Sequence, residues 1–235
     1  MKKVAIVTGG TSGMGEATGK ELARRGWQVA AMARTSNEFP GDVSRDEDCR
    51  RVARTVLEKW GRIDALVNSA GTTKFVAHAD LEGLSAEDIE GIFRVNFIGP
   101  FQMVRACAPA LKAARGCIVN VSSVASILGT GSSIAYAASK AALDTMSVSL
   151  ARALGPDIRV NVVAPGYVRT PWQVAAHGAA GAEDLERRYA ERSPLKAAPV
   201  PQDVAEAIAW LLEGARAITG EIIHVDGGMH IASPR

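Results

Sequence analysis

Within the stretch SSIAYAASKAALDTM, Tyr136 and Lys140 stand four residues apart. On a helix that spacing puts both side chains on one face. A phenol with an ordinary pKa near about 10 carries protons poorly at neutral pH. An adjacent ammonium lowers that value by stabilising the phenolate, so the pair could serve as a general acid or base. Upstream, Ser123 ends the apolar run CIVNVSS, at the carboxyl edge where open α/β sheets bind ligands, and could hydrogen-bond a substrate oxygen. Taken alone, a tyrosine four residues before a lysine is as well explained by a plain helix surface.

A second chemical signal lies near the N-terminus, where TGGTSGMG (8–15) follows the apolar run VAIV and precedes a helix-like stretch. Glycine costs roughly 0.5–1 kcal/mol relative to alanine inside regular structure, so it gathers where a turn or a close approach requires it. In a strand–turn–helix setting Gly9 allows the tight turn, Gly13 lets the backbone approach a pyrophosphate, and Gly15 lets helix and strand pack closely. Thr11, Ser12 and Met14 complete the loop around the anion. The spacing is GxxxGxG, which an ordinary tight turn would also satisfy. About twenty residues on, dinucleotide folds place an acid on the ribose for NAD or a cation on the NADP 2′-phosphate. Here the chain reads MARTS, with Ala33 where an acid could stand and then Arg34, so NADP(H) is favoured, with Arg34 and either Thr35 or Ser36 on the phosphate. The other reading leaves Arg34 in solvent and turns Glu38 back onto the ribose, which would select NAD(H).

These groups need a scaffold, and the apolar pattern supplies one. Short runs recur at 4–7, 28–33, 63–68, 117–122, 158–164 and 221–225. Helically spaced segments separate them at 16–25, 46–60, 86–114, 134–154 and 203–213. Strands apolar throughout belong in a parallel sheet covered on both faces, so the expected fold is a doubly wound α/β sheet, three layers deep, in a single domain over 1–235. Only Thr35 to Gly41 separates the second run from DVSRDED, too little for a crossover helix. A third strand is then very short, near Phe39 to Val43, or reached by a direct connection. Residues 166–202, rich in alanine, glycine and proline, carry no strand signal and are expected to form a lid or binding loop.

Composition excludes several classes. Twenty-seven basic against twenty-five acidic residues leave a net charge of +2 with no block of like charge, so neither nucleic acid nor a membrane surface is an expected partner. Cys49, Cys107 and Cys117 are widely spaced, as buried thiols in a reducing compartment would be, and no apolar run reaches signal-peptide or spanning length. A cytoplasmic protein is expected. His78, His177, His224 and His230 are scattered, none at ligand spacing from a cysteine or acid, so no metal is expected.

Taken together these motifs resemble the short-chain dehydrogenase/reductase family, in its shorter single-domain branch, from Val4 to about Met229. The resemblance rests on TGGTSGMG for the family's TGxxxGxG, the Asp42-Val43 pair, NSAG (68–71) for NNAG, and Asn96 in RVNFIGPF. Ser123, Tyr136 and Lys140 continue it, with PGYVRT (165–170) for PGxxxT and VDGG (225–228) near the end. Ser123 precedes Tyr136 by thirteen residues, the family interval, which selects it over Ser122. Ser69 departs from the family's second asparagine.

The resemblance implies that Tyr136 is the general acid in reduction and the base in oxidation, that Lys140 lowers its pKa and holds the nicotinamide ribose, and that Ser123 positions the carbonyl. It implies that Asn96 anchors a water leading to Lys140, and that Asp42 and Val43 contact the adenine. Asn68, Ala70 and Gly71 would line the adenosine side, and Pro165, Gly166, Val168 and Thr170 the nicotinamide amide and pyrophosphate. The general likeness is to 3-oxoacyl-carrier-protein reductases, although Asp157 stands where many of these carry an arginine. The expected activity is NADPH-dependent reduction of a ketone or 3-oxoacyl carbonyl, or its reverse. Rival readings are NAD-dependent oxidation of a polyol, sugar or cyclic diol, and a non-catalytic dinucleotide sensor. Trp172, Tyr167 and Phe75 could enclose a mostly apolar substrate or simply pack, and His78 or His177 could touch it. Apolar stripes on the helices at 96–114 and 134–154 suggest a homotetramer, with a dimer next.

Overall fold

A computed structural model describes residues 1–232. Six strands, β1 (Val4–Thr8), β2 (Gln28–Met32), β3 (Ala65–Asn68), β4 (Cys117–Val121), β5 (Arg159–Pro165) and β6 (Ile222–Val225), lie within the six apolar runs or one residue beyond them. They pair in parallel in the order β2-β1-β3-β4-β5-β6. Alternate residues then face opposite layers. Ile6, Leu66, Ile118 and Val160 pack with α2 (Asp46–Trp60), α4 (Gly99–Ala114) and α6 (Ile134–Leu154) on one side. Ala5, Val7, Val67, Val119 and Val163 pack with α1 (Gly13–Arg24) and α8 (Pro201–Glu213) on the other. This is the Rossmann-like three-layer arrangement that burying both faces of a parallel sheet requires.

The segment after β2 contributes no further strand: it makes a single parallel bridge, Ala33 to Pro40, and passes directly into α2. The helical run 86–114 divides into α3 (Ala86–Phe93), a π-helical turn (Arg94–Ile98) and α4. Pro100 explains the widening. It has no N–H to give to the Asn96 carbonyl four residues back, and the Gly99 N–H bonds five back, to the Arg94 carbonyl. A short α5 (Ala125–Leu128) follows β4.

The largest departure from expectation lies in 166–202. Its centre is not a loop but helix α7 (Pro171–Arg192), broken at Gly178, whose φ of 70° is left-handed. Proline at the first turn and the alanines that follow favour helix, and the glycine interrupts it.

The layer that carries the glycine turn is tied together by charge. Glu21 of α1 accepts hydrogen bonds from Arg24 at 2.8 and 2.9 Å, from Arg25 at 2.7 Å and from Gln202 of α8 at 3.2 Å. The Arg24 and then Arg25 bonds hold its carboxyl down to about 2. Trp27 donates to Glu213 at 2.7 Å across the same junction. Cys49, Cys107 and Cys117 are all buried free thiols, and burial pushes them up to about 12, 12 and 11. Among the described residues no helix is long and apolar enough to cross a membrane.

Candidate active site

A cleft of about 360 Å³ runs along the carboxyl ends of β1 to β4. Its floor is the turn between β1 and α1. Gly9 adopts φ 66° and Gly13 φ 53°. A Cβ on Gly15 would stand 2.3 Å from the Gly9 carbonyl oxygen, so the first turn of α1 seats directly on the loop. Gly10 is equally constrained, since its Cβ would lie 2.8 Å from the Val7 carbonyl oxygen and 2.9 Å from Ala31, a requirement that spacing alone did not reveal. The Ser12 side chain makes no capping hydrogen bond, and Gly13, Met14 and Gly15 at the start of α1 line the cleft. A helix start of this kind attracts an anion.

Of the expected cofactor residues, Gly9, Thr11, Ser12, Gly13, Met14, Gly15, Arg34, Thr35, Asp42, Val43, Ala70, Gly71, Tyr136, Lys140 and Thr170 line this cleft. Met32, Gly41, Thr72, Val95, Pro171 and Trp172 join them, mostly as neighbours of the motifs. Arg34 is exposed and belongs to no ion pair among the described residues, whereas Glu38 is ion-paired with Lys59. Asp42 accepts from the Ser44 amide at 2.9 Å and hydroxyl at 2.7 Å, which fixes the start of the wall.

Of the expected site residues, the catalytic Asn96 and Ser123 and four cofactor residues lie off the cleft wall. Asn68 is buried and donates to Asn120 Oδ1 at 2.8 Å, so its side chain ties β3 to β4. Pro165 closes β5, where its carbonyl accepts from Val124 at 3.0 Å. Gly166 lies beneath Tyr189, whose hydroxyl would be 1.8 Å from a Cβ there, and Val168 is buried in the core. In each case the residue supports the wall from behind.

The chemical end is assembled from three elements. Ser123 follows β4, its Oγ accepting from the Ala125 amide at 3.2 Å. Ser122, which also lines the cleft, donates its hydroxyl to the Lys140 carbonyl at 3.4 Å. Tyr136 and Lys140 share a face of α6, which Ser133 caps by accepting from the Tyr136 amide at 3.2 Å. Lys140 is 5% exposed and donates from Nζ to the Val121 carbonyl at 2.8 Å. Asn96, fully buried in the π turn, donates to Ser139 Oγ at 3.0 Å and bonds the Thr72 backbone.

Electrostatically the pair differs from the simple expectation. Burial pushes the Tyr136 phenol up, opposed by a hydrogen bond with Ser123. The ammonium sits 5.8 Å from the ring centroid, and burial brings it down to about 8 against the pull of Asp144. Tyr136 is therefore a protonated donor beside a hydroxyl, with a cation held behind it.

The histidines also depart from the sequence reading. His230 Nδ1 lies 2.8 Å from Asp226 Oδ2, and its ring stacks on His224 at 4.2 Å. Among the described residues no three potential ligands converge on a metal position.

The model of the family described as enoyl-(acyl carrier protein) reductase matches residues 9–230. The chain belongs to the short-chain dehydrogenase/reductase family. It is 37% identical over 243 residues to a protein of Streptomyces violaceoruber named as ketoacyl reductase 2 of the granaticin polyketide synthase, covering 97% of this chain and 96% of that one. It is 34% identical over 249 residues to the 3-oxoacyl-[acyl-carrier-protein] reductase FabG of Thermotoga maritima, covering 97% and 98%. The ligand-free aldohexose dehydrogenase of Thermoplasma acidophilum superposes with a TM-score of 0.93 at 29% identity, covering 100% of this chain and 96% of that one. The protein is thus an oxidoreductase of the dehydrogenase/reductase type, interconverting CH–OH and C=O groups with an NAD(P) cofactor.

Proposed function

We propose that the enzyme uses NADP(H) and reduces a ketone-type carbonyl to a secondary alcohol. The observation that carries the cofactor choice is the contrast between Arg34, which lines the cleft without a carboxylate partner among the described residues, and Glu38, which is engaged by Lys59. A free guanidinium suits a phosphate, and an engaged carboxylate is a poor ribose acceptor. The glycine turn fits a dinucleotide for a steric reason: side chains at Gly9 or Gly15 would collide with backbone and close the floor.

When bound, the nicotinamide supplies a hydride to the carbonyl carbon. The chain's residues manage the oxygen. Ser123 and Tyr136 are positioned as a hydroxyl pair to hold it, and Tyr136, kept protonated by burial, gives up its proton as charge develops there. Lys140 holds a positive charge beneath the phenol and, with Gly71 nearby, faces the ribose side of the cleft. The same groups run the reverse oxidation. The segment 166–202 acts as the lid, with Gly178 as its point of bending. Exposed Ile98 and Phe101 on and beside α4 favour a homotetramer, to be read by light scattering.

Fluorescence titration with NADPH and NADH, repeated on Arg34→Ala, tests the reading. NADPH should bind more tightly, and the substitution should remove that advantage. Equal or tighter NADH binding would overturn the cofactor choice and bring oxidation of a polyol, sugar or diol forward.

A further inference from the structure

Aromatic side chains make up only 5% of this chain. Three of them, with one of the four histidines, nevertheless gather at one place beside the reacting end of the cleft. Phe75, in the segment after β3, lies 5.9 Å from Trp172 and 4.9 Å from His177, the latter edge-on at 82°. Trp172 in turn lies 6.2 Å from Tyr136. The rings form a continuous tier from the proton donor outward. Phe75 remains 39% exposed and Trp172 38%, so the tier is open on one side and does not belong to the core.

The groups around the tier limit what it can receive. Lys74, next to Phe75, is ion-paired with Asp88 at 2.6 Å, and Arg169, before the start of α7, is ion-paired with Glu186 at 2.9 Å. The nearby cations are thus paired, and apart from the His177 ring nitrogens and the Trp172 N–H the wall consists of π faces and edges, fewer polar groups than a polyhydroxylated chain would need. A flat ring gains more from such a wall than a flexible chain does, because it buries area with few rotors to immobilise and can take the offset or edge-on geometry aromatic groups prefer.

We propose that Phe75, Trp172 and His177 form a subsite for an uncharged, ring-bearing carbonyl compound, seated against Trp172 with its carbonyl toward Tyr136. The proposal rests on the carbonyl-reductase reading and adds the substrate class. Trp172 and His177 both precede the break at Gly178, so the subsite is built where the first part of α7 meets the segment after β3.

The test compares 2-tetralone with 2-decanone, two uncharged ketones of equal carbon number, on wild type, Phe75→Ala and Phe75→Ala/His177→Ala. Turnover is measured with NADPH, and binding to the NADPH-loaded protein by saturation-transfer NMR. An aromatic contact is worth about 0.5–1.5 kcal/mol, so each lost contact should cost about two- to twelvefold in kcat/KM for 2-tetralone, with 2-decanone little changed. Preferential binding of 2-tetralone that the substitutions remove, with no turnover of either ketone, would leave the subsite standing and defeat the reductase reading. Turnover of both ketones with no ring preference, or an equal loss for both on substitution, would overturn the subsite and leave the reductase reading intact. No binding and no turnover of either ketone would overturn both.

Discussion

Asn96 and the backbone of Thr72 hold each other through two hydrogen bonds, the Thr72 amide donating to Oδ1 at 2.9 Å and Nδ2 donating to the Thr72 carbonyl at 3.0 Å. The side-chain amide thereby acts as one rung of a ladder, fastening the segment after β3 to the π turn. That segment carries Ala70, Gly71 and Phe75, so its position sets both the cofactor wall and the aromatic tier. Asn96→Ala would leave a half-buried amide and carbonyl without these partners, a loss of about 1–3 kcal/mol. Urea denaturation should show that loss, and NADPH should bind more weakly. Unchanged NADPH affinity would mean that the segment holds its place without Asn96.

Gly15→Ala would place a methyl 2.3 Å from the Gly9 carbonyl oxygen, against backbone that has no rotamer to escape into. The first turn of α1 must then lift from the loop. NADPH affinity should fall at least about tenfold, a change of 1.4 kcal/mol, while far-UV dichroism keeps its α/β signature. Retained affinity would show that the cradle tolerates the shift.

Lys140, brought down to about 8 by burial, loses its charge as pH rises through that value. The profile of kcat/KM for NADPH, which reports the unliganded enzyme, should be level at lower pH and decline through about 8. Tyr136 stays protonated across this range because burial pushes it upward. A decline that sets in only near the ordinary lysine value would show that the ammonium is better solvated than its burial indicates.

Glu21 has its carboxyl held to about 2, below its ordinary 4.5, by the Arg24 and Arg25 hydrogen bonds. Because the folded value is depressed, the stabilisation is complete above about 4.5 and disappears as pH falls through about 2. Glu21→Gln should melt below wild type at pH 7, with the gap closing toward pH 2. A constant gap would assign the loss to packing of the junction instead of charge.

The sheet was legible because a parallel strand covered on both faces must be apolar along its length, and α2 and α6 begin and end at the residues that helical spacing marks. The hydrogen bond of Asn68 to Asn120 was not legible because the partner lies on the neighbouring strand: the motif NSAG shows a turn but not which side chain reaches across β3 and β4. The close approach of Tyr189 to Gly166 was hidden in the same way, since it comes from a helix twenty-three residues later in the chain. Helix α7 was missed because glycine and proline dominate a reading by turn residues, while the alanines between them decide the backbone. The upward displacement of Tyr136 depends on burial and on where Nζ of Lys140 points, which a four-residue spacing does not specify.

The short connection after β2 also bears on how copies of the protein meet one another. The rim of a sheet is a template on which a second molecule can add a strand, and proteins guard it with bends, prolines and charge. Here the last rung is Ala33 to Pro40. Pro40 has no amide hydrogen to offer, and its carbonyl is taken by Arg51 at 2.8 Å. The rung is closed to an incoming chain, so the abbreviated crossover that places Arg34 and Asp42 on one wall of the cleft also protects this corner of the protein from aggregation.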